Sequence, residues 1–364
     1  MNTCSVFEPF QLGRLRLRNR FVRSATWEAM ADTRGEVSDQ LLNLYRKLAE
    51  GGVGAVITGH TYVLPEGKSS FRQTGSYTDN LGLERLVHAV HPYKCPLILQ
   101  ISHGGSISIH DDHVSNLSNK FINNNLSQKL DEKHMERIRN AFVKATLRAK
   151  TAGFDAVQMH CAHGFLFSEM ISPLFNQRTD DFGGNTEKRM RFPLSVLDAM
   201  RAEVGPQYPI LIKINSDDFC EGGMTPEEMV RICSLLDARG DITAIEISGG
   251  NRKGTFWPAR LGRVQPGIET EGYYIKAAQQ YKESVHTPLI LVGGFRSLEA
   301  ASYRIQEGLV DCIALSRPLI REPGLIARWQ NGFTEPSDCL SCNGCYKPAA
   351  AGEGIRCVYA EKHL

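Results

Sequence analysis

Two imidazoles three positions apart, His160 and His163, open the most chemically loaded stretch of the chain, His160 to Gly184. They follow the apolar run Ala156–Met159, so they stand just past a strand end, where both can point into one cavity. A neutral imidazole both donates and accepts hydrogen bonds, and its charge changes near neutral pH. Glu169, Asn176, Arg178, Thr179, Asp180, Asp181 and Gly183-Gly184 then crowd polar groups into a piece with little helical period. A polar loop at the end of a strand is where binding and catalytic groups concentrate. The second cluster is Cys339, Cys342, Cys345 and Cys357, spaced C-x2-C-x2-C-x11-C. Four thiolates at such spacing suit a 4Fe–4S cluster or a structural zinc. The other six cysteines are scattered, several of them in apolar runs where a thiol is a small buried hydrophobe.

These residues need a scaffold. Short, nearly continuous apolar runs recur at Phe21–Thr26, Val53–Thr58, Pro96–Ile101, Ala156–His160, Ile210–Asn215, Ala244–Ile247, Leu289–Val292 and Cys312–Leu315. Such runs mark strands buried on both faces. Amphipathic helices are expected between them, at Leu41–Glu50, Glu132–Thr151, Glu187–Val204, Pro226–Arg239, Glu271–Glu283 and Leu298–Glu307. Thr225-Pro226-Glu227-Glu228 puts a cap, an N1 proline and first-turn acids in order. Eight strands alternating with helices predict a single α/β domain, a (β/α)8 TIM barrel with its chemistry at the C-terminal strand ends. An open doubly wound sheet would want G-x-G-x-x-G after its first strand, and Phe21–Trp27 is not followed by one. Ser102–Asp131 is a long polar loop on the catalytic face, where lids form. The formal net charge is +2 and no basic stripe is visible, so no nucleic acid partner is expected. No apolar run approaches the roughly 20 residues that span a bilayer, and Met1–Phe10 lacks a secretory h-region. The expectation is a cytoplasmic protein with no membrane partner.

The segment from His160 to Phe192, HCAHGFLFSEMISPLFNQRTDDFGGNTEKRMRF, resembles the signature of the Old Yellow Enzyme family of FMN flavoproteins. Other pieces fall in the same order: Asn19–Trp27, Gln100–Gly105, Val292–Phe295 and Leu315–Pro318. The resemblance covers almost the whole chain and implies residues 1–335 as an FMN-binding barrel, with residues 336–364 as a Cys-rich tail. It implies that Gly294, Phe295, Ser316 and Arg317 hold the FMN phosphate through main-chain N–H groups and a guanidinium. It also places Lys213 beside flavin N1 and O2, Gln100 at the isoalloxazine edge, and the backbone of Ala25, Thr26 and Gly59 against the ring. His160 and His163 match the family's pair that grips the carbonyl oxygen of a small-molecule substrate. The implied reaction is reduction of FMN by NAD(P)H, then hydride transfer from N5 to an activated alkene.

Three positions depart from the family pattern. Phe165 stands where relatives carry a proton-donating Tyr, and a phenyl ring cannot donate. Trp27 occupies a place where relatives often have Cys or Thr, and Ser106 one where they often have Arg. The cysteine tail resembles that of 2,4-dienoyl-CoA reductase and enoate reductases, which carry a cluster there, although the gap matching Cys342–Cys345 is typically one residue longer in them. Two other readings remain open at this point. Phe165 and the cysteines also suit a flavin and iron–sulfur module passing electrons to or from a partner protein. The histidine pair would suit a metal-dependent barrel hydrolase, given a third ligand from another strand end. Barrels of this family often pair, so a homo-oligomer is a further expectation.

Overall fold

The computed structural model describes residues 5–109, 130–251, 253, 262 and 265–361. The Ser102–Asp131 loop therefore lies largely outside the described residues. All eight expected strands form: β3 (Phe21–Arg23), β4 (Ala55–Ile57), β6 (Leu97–Ser102), β7 (Ala156–Cys161), β8 (Ile210–Asn215), β9 (Ala244–Ser248), β10 (Leu289–Val292) and β11 (Cys312–Leu315). Every pairing between them is parallel, and the β4–β6 pair closes the sheet into a barrel. The short β5 (Thr61–Tyr62) pairs with β6 beyond the point where β4 ends. Besides β5, two further strands escaped sequence reading, β1 (Phe10–Leu12) and β2 (Leu15–Leu17), which form an antiparallel hairpin.

The barrel interior is apolar at the bottom and polar at the top. Leu12, Leu15 and Leu17 of the hairpin plug the lower end against Val22, Ile57, Ile98, Leu211, Ile290 and the small residues Ala55, Ala156, Ala244 and Ala314. A second, larger core fills the space between barrel and helices. The helix over Pro226–Asp237 begins as its sequence dictates, with Thr225 Oγ1 accepting from Glu228 N–H. The expected helix over Glu271–Glu283 is a correction, for it spans only Ile275–Ser284. Gly272 adopts φ +94°, which a helix does not allow. Glu271 instead turns inward, and its carboxylate accepts the N–H groups of Arg296 and Ser297 at 2.8 and 3.0 Å.

Candidate active site

Every residue expected at the site stands at a C-terminal strand end or in the loop that follows it. The register explains why. His160 pairs with Lys213, Lys213 with Glu246, and Gln100 with Gln158, so one layer of polar side chains crosses the top of the barrel. Gln100 Nε2 donates to Gln158 Oε1 at 2.6 Å, and Gln158 Nε2 donates to Glu246 Oε2 at 2.8 Å. Lys213 Nζ donates to Glu246 Oε1 at 2.9 Å and to Ser24 Oγ at 2.8 Å, and Ser24 Oγ donates to Glu246 at 2.6 Å. Lys213 and Glu246 are 2% and 0% exposed, so each compensates a charge that could not stand there alone. The sequence reading placed Lys213 as a cation for the flavin. The structure adds its carboxylate partner, which lowers the net charge of that corner to near zero.

The histidine pair is held by backbone geometry. His163 sits in the left-handed region, φ +65°, a conformation that costs a non-glycine residue on the order of 1–3 kcal/mol. Its N–H donates to Asn215 Oδ1 at 3.1 Å, and its Nε2 lies 2.8 Å from Ser248 Oγ. Asn215 is itself fixed by Asp218 and the Gly250 carbonyl. His160 Nδ1 accepts the Ala162 N–H at 3.3 Å, which leaves its ring proton on Nε2. The two rings meet edge to face, with centroids 5.2 Å apart. Burial first, then positive charge on Lys213 and His60, pushes the pKa of His163 well below the usual histidine value; for His160, burial leads, followed by the charges of His163, His60 and Lys213. Both rings are therefore neutral N–H donors at pH 7. Phe165 lies over His160 with ring centroids 4.4 Å apart.

The last two strands end in a cradle. Gly293 and Gly294 have φ +120° and +83°, and a Cβ at either would strike the ring of Tyr274 or Tyr273. Only glycine fits there, which brings the main chain close to whatever lies in the loop. Thr26 Oγ1 and Ser316 Oγ share a hydrogen bond of 2.7 Å. Gly59 is also obligatory, because a Cβ would meet the Thr26 carbonyl and the Glu28 carboxylate. Its N–H donates to Glu28 Oε1 and to Tyr45 Oη, both at 2.9 Å. Ala25, Thr26, Gly59, Gln100, Lys213, Gly294, Phe295, Ser316 and Arg317 all lie in the C-terminal part of a barrel strand or just after it.

Residues 5–335 match the NADH:flavin oxidoreductase / NADH oxidase family. The chain belongs to that family. Among its relatives is 4,4'-dithiodibutanoate disulfide reductase of Rhodococcus erythropolis, 30% identical over 98% of this chain and 95% of that one. NADH oxidase of Thermoanaerobacter brockii is 33% identical over 94% of this chain but only 53% of its own length. The chain thus spans about half of some relatives and nearly all of others. Of solved structures, a 2-naphthoyl-CoA reductase complex superposes with TM-score 0.85 at 24% identity, over 97% of this chain and 56% of that one. Morphinone reductase superposes with TM-score 0.74 at 23% identity, over 93% of this chain and 92% of that one. The superpositions show the shared barrel fold, and the family match makes the chain an oxidoreductase of the NADH:flavin type, the family of the Old Yellow Enzymes. The mouth suits FMN: a neutral polar layer for the ring edge, a glycine cradle for close backbone approach, and Arg317 beside it.

The family match ends where the cysteine tail begins. Cys339, Cys342, Cys345 and Cys357 line one open cleft together with Arg317 and Arg321. Arginines bind the tail to the flavin-family barrel. Arg296 Nη1 donates to the Cys339 carbonyl, and its Nη2 to Ser341 Oγ at 2.8 Å. Arg317 Nη1 donates to Asn343 Oδ1 at 2.9 Å and the Ser341 carbonyl at 3.3 Å. Five guanidinium N–H donors let Arg317 serve the tail without excluding a phosphate. Among the described residues, no three His, Cys, Asp or Glu side chains converge closely enough to hold a single metal ion. No third ligand therefore joins His160 and His163 there.

Sequence reasoning missed His60, Gln158 and Glu246 at the mouth. Glu246 had a signal, since a carboxylate and a lysine each interrupt an apolar strand one repeat apart, and buried charges must pair. Among the described residues, no helix is long and apolar enough to cross a membrane.

Proposed function

We propose that the chain is an FMN-dependent NAD(P)H oxidoreductase of the ene-reductase type, acting on the activated double bond of a small carbonyl compound. The observation that carries this is the His160/His163 pair, kept neutral by burial and set beside Lys213 at the strand ends of the barrel. When bound, reduced FMN supplies a hydride. His160 and His163 present N–H groups to the substrate oxygen, where negative charge develops as hydride arrives at the β-carbon. Neutral rings suit this role, since they donate without handing over a proton. Arg317 and the main chain of Gly294, Phe295 and Ser316 would hold the phosphate, and Lys213 with Gln100 the ring edge. Ala25, Thr26 and Gly59 would lie against the ring.

The cysteine cleft is read as a 4Fe–4S site rather than a zinc site. A cluster spreads its thiolates wider than one ion does, and the four cysteines face one cleft without closing on a single point. Arg317 and Arg321 would balance the thiolate charge. A cluster would imply an electron-donor partner protein.

A second reading of the substrate rests on the Rhodococcus relative and on Phe165. Cleaving a disulfide releases thiolates and protonates no carbon, so it needs no acid at position 165. Steady-state NAD(P)H oxidation with a panel of enones and aliphatic disulfides tests both. Turnover with enones supports the first reading, turnover with disulfides alone the second. Turnover with neither, in flavin-replete protein, favours the electron-transfer module.

A further inference from the structure

His60 follows Gly59 in the loop after β4 and is half-buried. Its ring lies edge-on to Phe165, with centroids 5.0 Å and planes 67° apart, and its centroid is 6.3 Å from that of His160. An imidazole thus stands against the ring that replaces the family's tyrosine. It is supported from behind. Gln73, itself 1% exposed, accepts the N–H groups of Ser69 and Ser70 at 2.8 and 3.1 Å and donates to the His60 carbonyl at 2.9 Å. That clamp sets the Ser70 hydroxyl 3.3 Å from His60 Nε2. Packing beside Phe165 asks for neither the clamp nor the hydroxyl. Positive charge on His60 is also among the causes that keep His160 and His163 neutral. The pair His160/His163 thus has a third imidazole beside it, with the Ser70 hydroxyl at its Nε2.

We infer that His60 is the acid that protonates the α-carbon of the substrate alkene, in place of the hydroxyl that Phe165 lacks. This rests on the ene-reductase reading above. The alkene β-carbon receives hydride from the reduced flavin, for which NAD(P)H is the source of electrons. The π pair shifts to the α-carbon, where a C–H bond forms as the imidazolium N–H bond breaks. The alkene gains a hydride and a proton, two electrons and two protons in all, the flavin is oxidised, and His60 is left neutral. Water returns the proton, with Ser70 Oγ as the adjoining hydroxyl.

Anaerobic stopped-flow separates the two half-reactions. In His60→Gln, flavin reduction by NAD(P)H should be unchanged, while reoxidation by an enone falls by about 10²–10⁴, the range for loss of a general acid. Adding Phe165→Tyr to that variant should restore much of the rate. If His60→Gln fails to retain flavin, Ser70→Ala carries the test, with reoxidation slowed and reduction not. In oxidised wild-type holoprotein, ¹⁵N NMR should show the His60 ring taking up a proton while His160 and His163 remain neutral. Reoxidation at wild-type rate in either variant, or a His60 ring that stays neutral wherever the enzyme turns over, overturns the assignment alone. A wild-type flavin that no enone reoxidises overturns the ene-reductase reading as well.

Discussion

At the barrel mouth every polar group of the central layer stands on a strand, and its neighbours in the sheet fix its position. At the cysteine cleft the thiols stand on an extension that the barrel grips with arginine side chains. Ser341 and Asn343 kink the chain between the cysteines, at φ +51° and +56°. The mouth is cemented by a buried ion pair in the middle of the core. The cleft is held at its rim, with Cys342 exposed and Cys357 half-buried. The contrast implies that the mouth cannot be disturbed without cost to the whole barrel, whereas the cleft can be loosened while the barrel survives.

The largest effect should come from breaking the ion pair. Glu246→Gln leaves Lys213 charged and buried, and should cost about 3–5 kcal/mol in denaturant unfolding. A cost near zero would mean that the mouth is not cemented as described. Next is the histidine pair. His160→Ala or His163→Ala should lower enone turnover by about 10²–10³ with flavin content preserved, as for loss of an oxyanion donor. Turnover losses without any effect of substrate carbonyl chemistry would contradict the gripping role. Smaller still, Arg296→Ala strips the Cys339 carbonyl and Ser341 of their donor and should cost about 1–3 kcal/mol. Limited proteolysis should then cut the tail first and leave the barrel whole. Simultaneous loss of both would erase the contrast.

The smallest effect is a pH slope. Burial first of all raises the Glu169 carboxyl from 4.5 to about 8, and the Ser106 N–H only partly offsets this. The folded state thus keeps a proton that the unfolded chain gives up. Its contribution is complete below pH 4.5 and is lost as pH rises towards 8. Glu169→Gln should flatten the fall in stability between those limits, measured by urea unfolding. An unchanged slope would show that Glu169 is not the group responsible.

The strands were legible because double-sided burial leaves unbroken apolar runs, and all eight stand where those runs are. The hairpin Phe10–Leu12/Leu15–Leu17 was not, because strands of three residues carry too few positions for a period. Periodicity extended a helix back to Glu271, since nothing local reveals that the Glu271 carboxylate closes the loop after β10. The histidine pair was visible from its polar setting. His60 was not, as a lone histidine after Gly59 has no sequence partner, and only the fold brings it against Phe165 and His160. The cysteines announced themselves by spacing, but the arginines that dock them stand elsewhere in the chain, Arg296 in the loop after β10 and Arg317 at the start of the helix after β11.

The central claim is that this mouth holds FMN and passes its electrons to a carbonyl-activated alkene. It is tested most directly by the visible spectrum of FMN-reconstituted protein under anaerobic conditions. NAD(P)H should bleach the flavin bands, and a stoichiometric enone should restore them. Protein that shows no flavin bands after reconstitution, or bands that bleach and stay bleached when enone is added, would contradict the account.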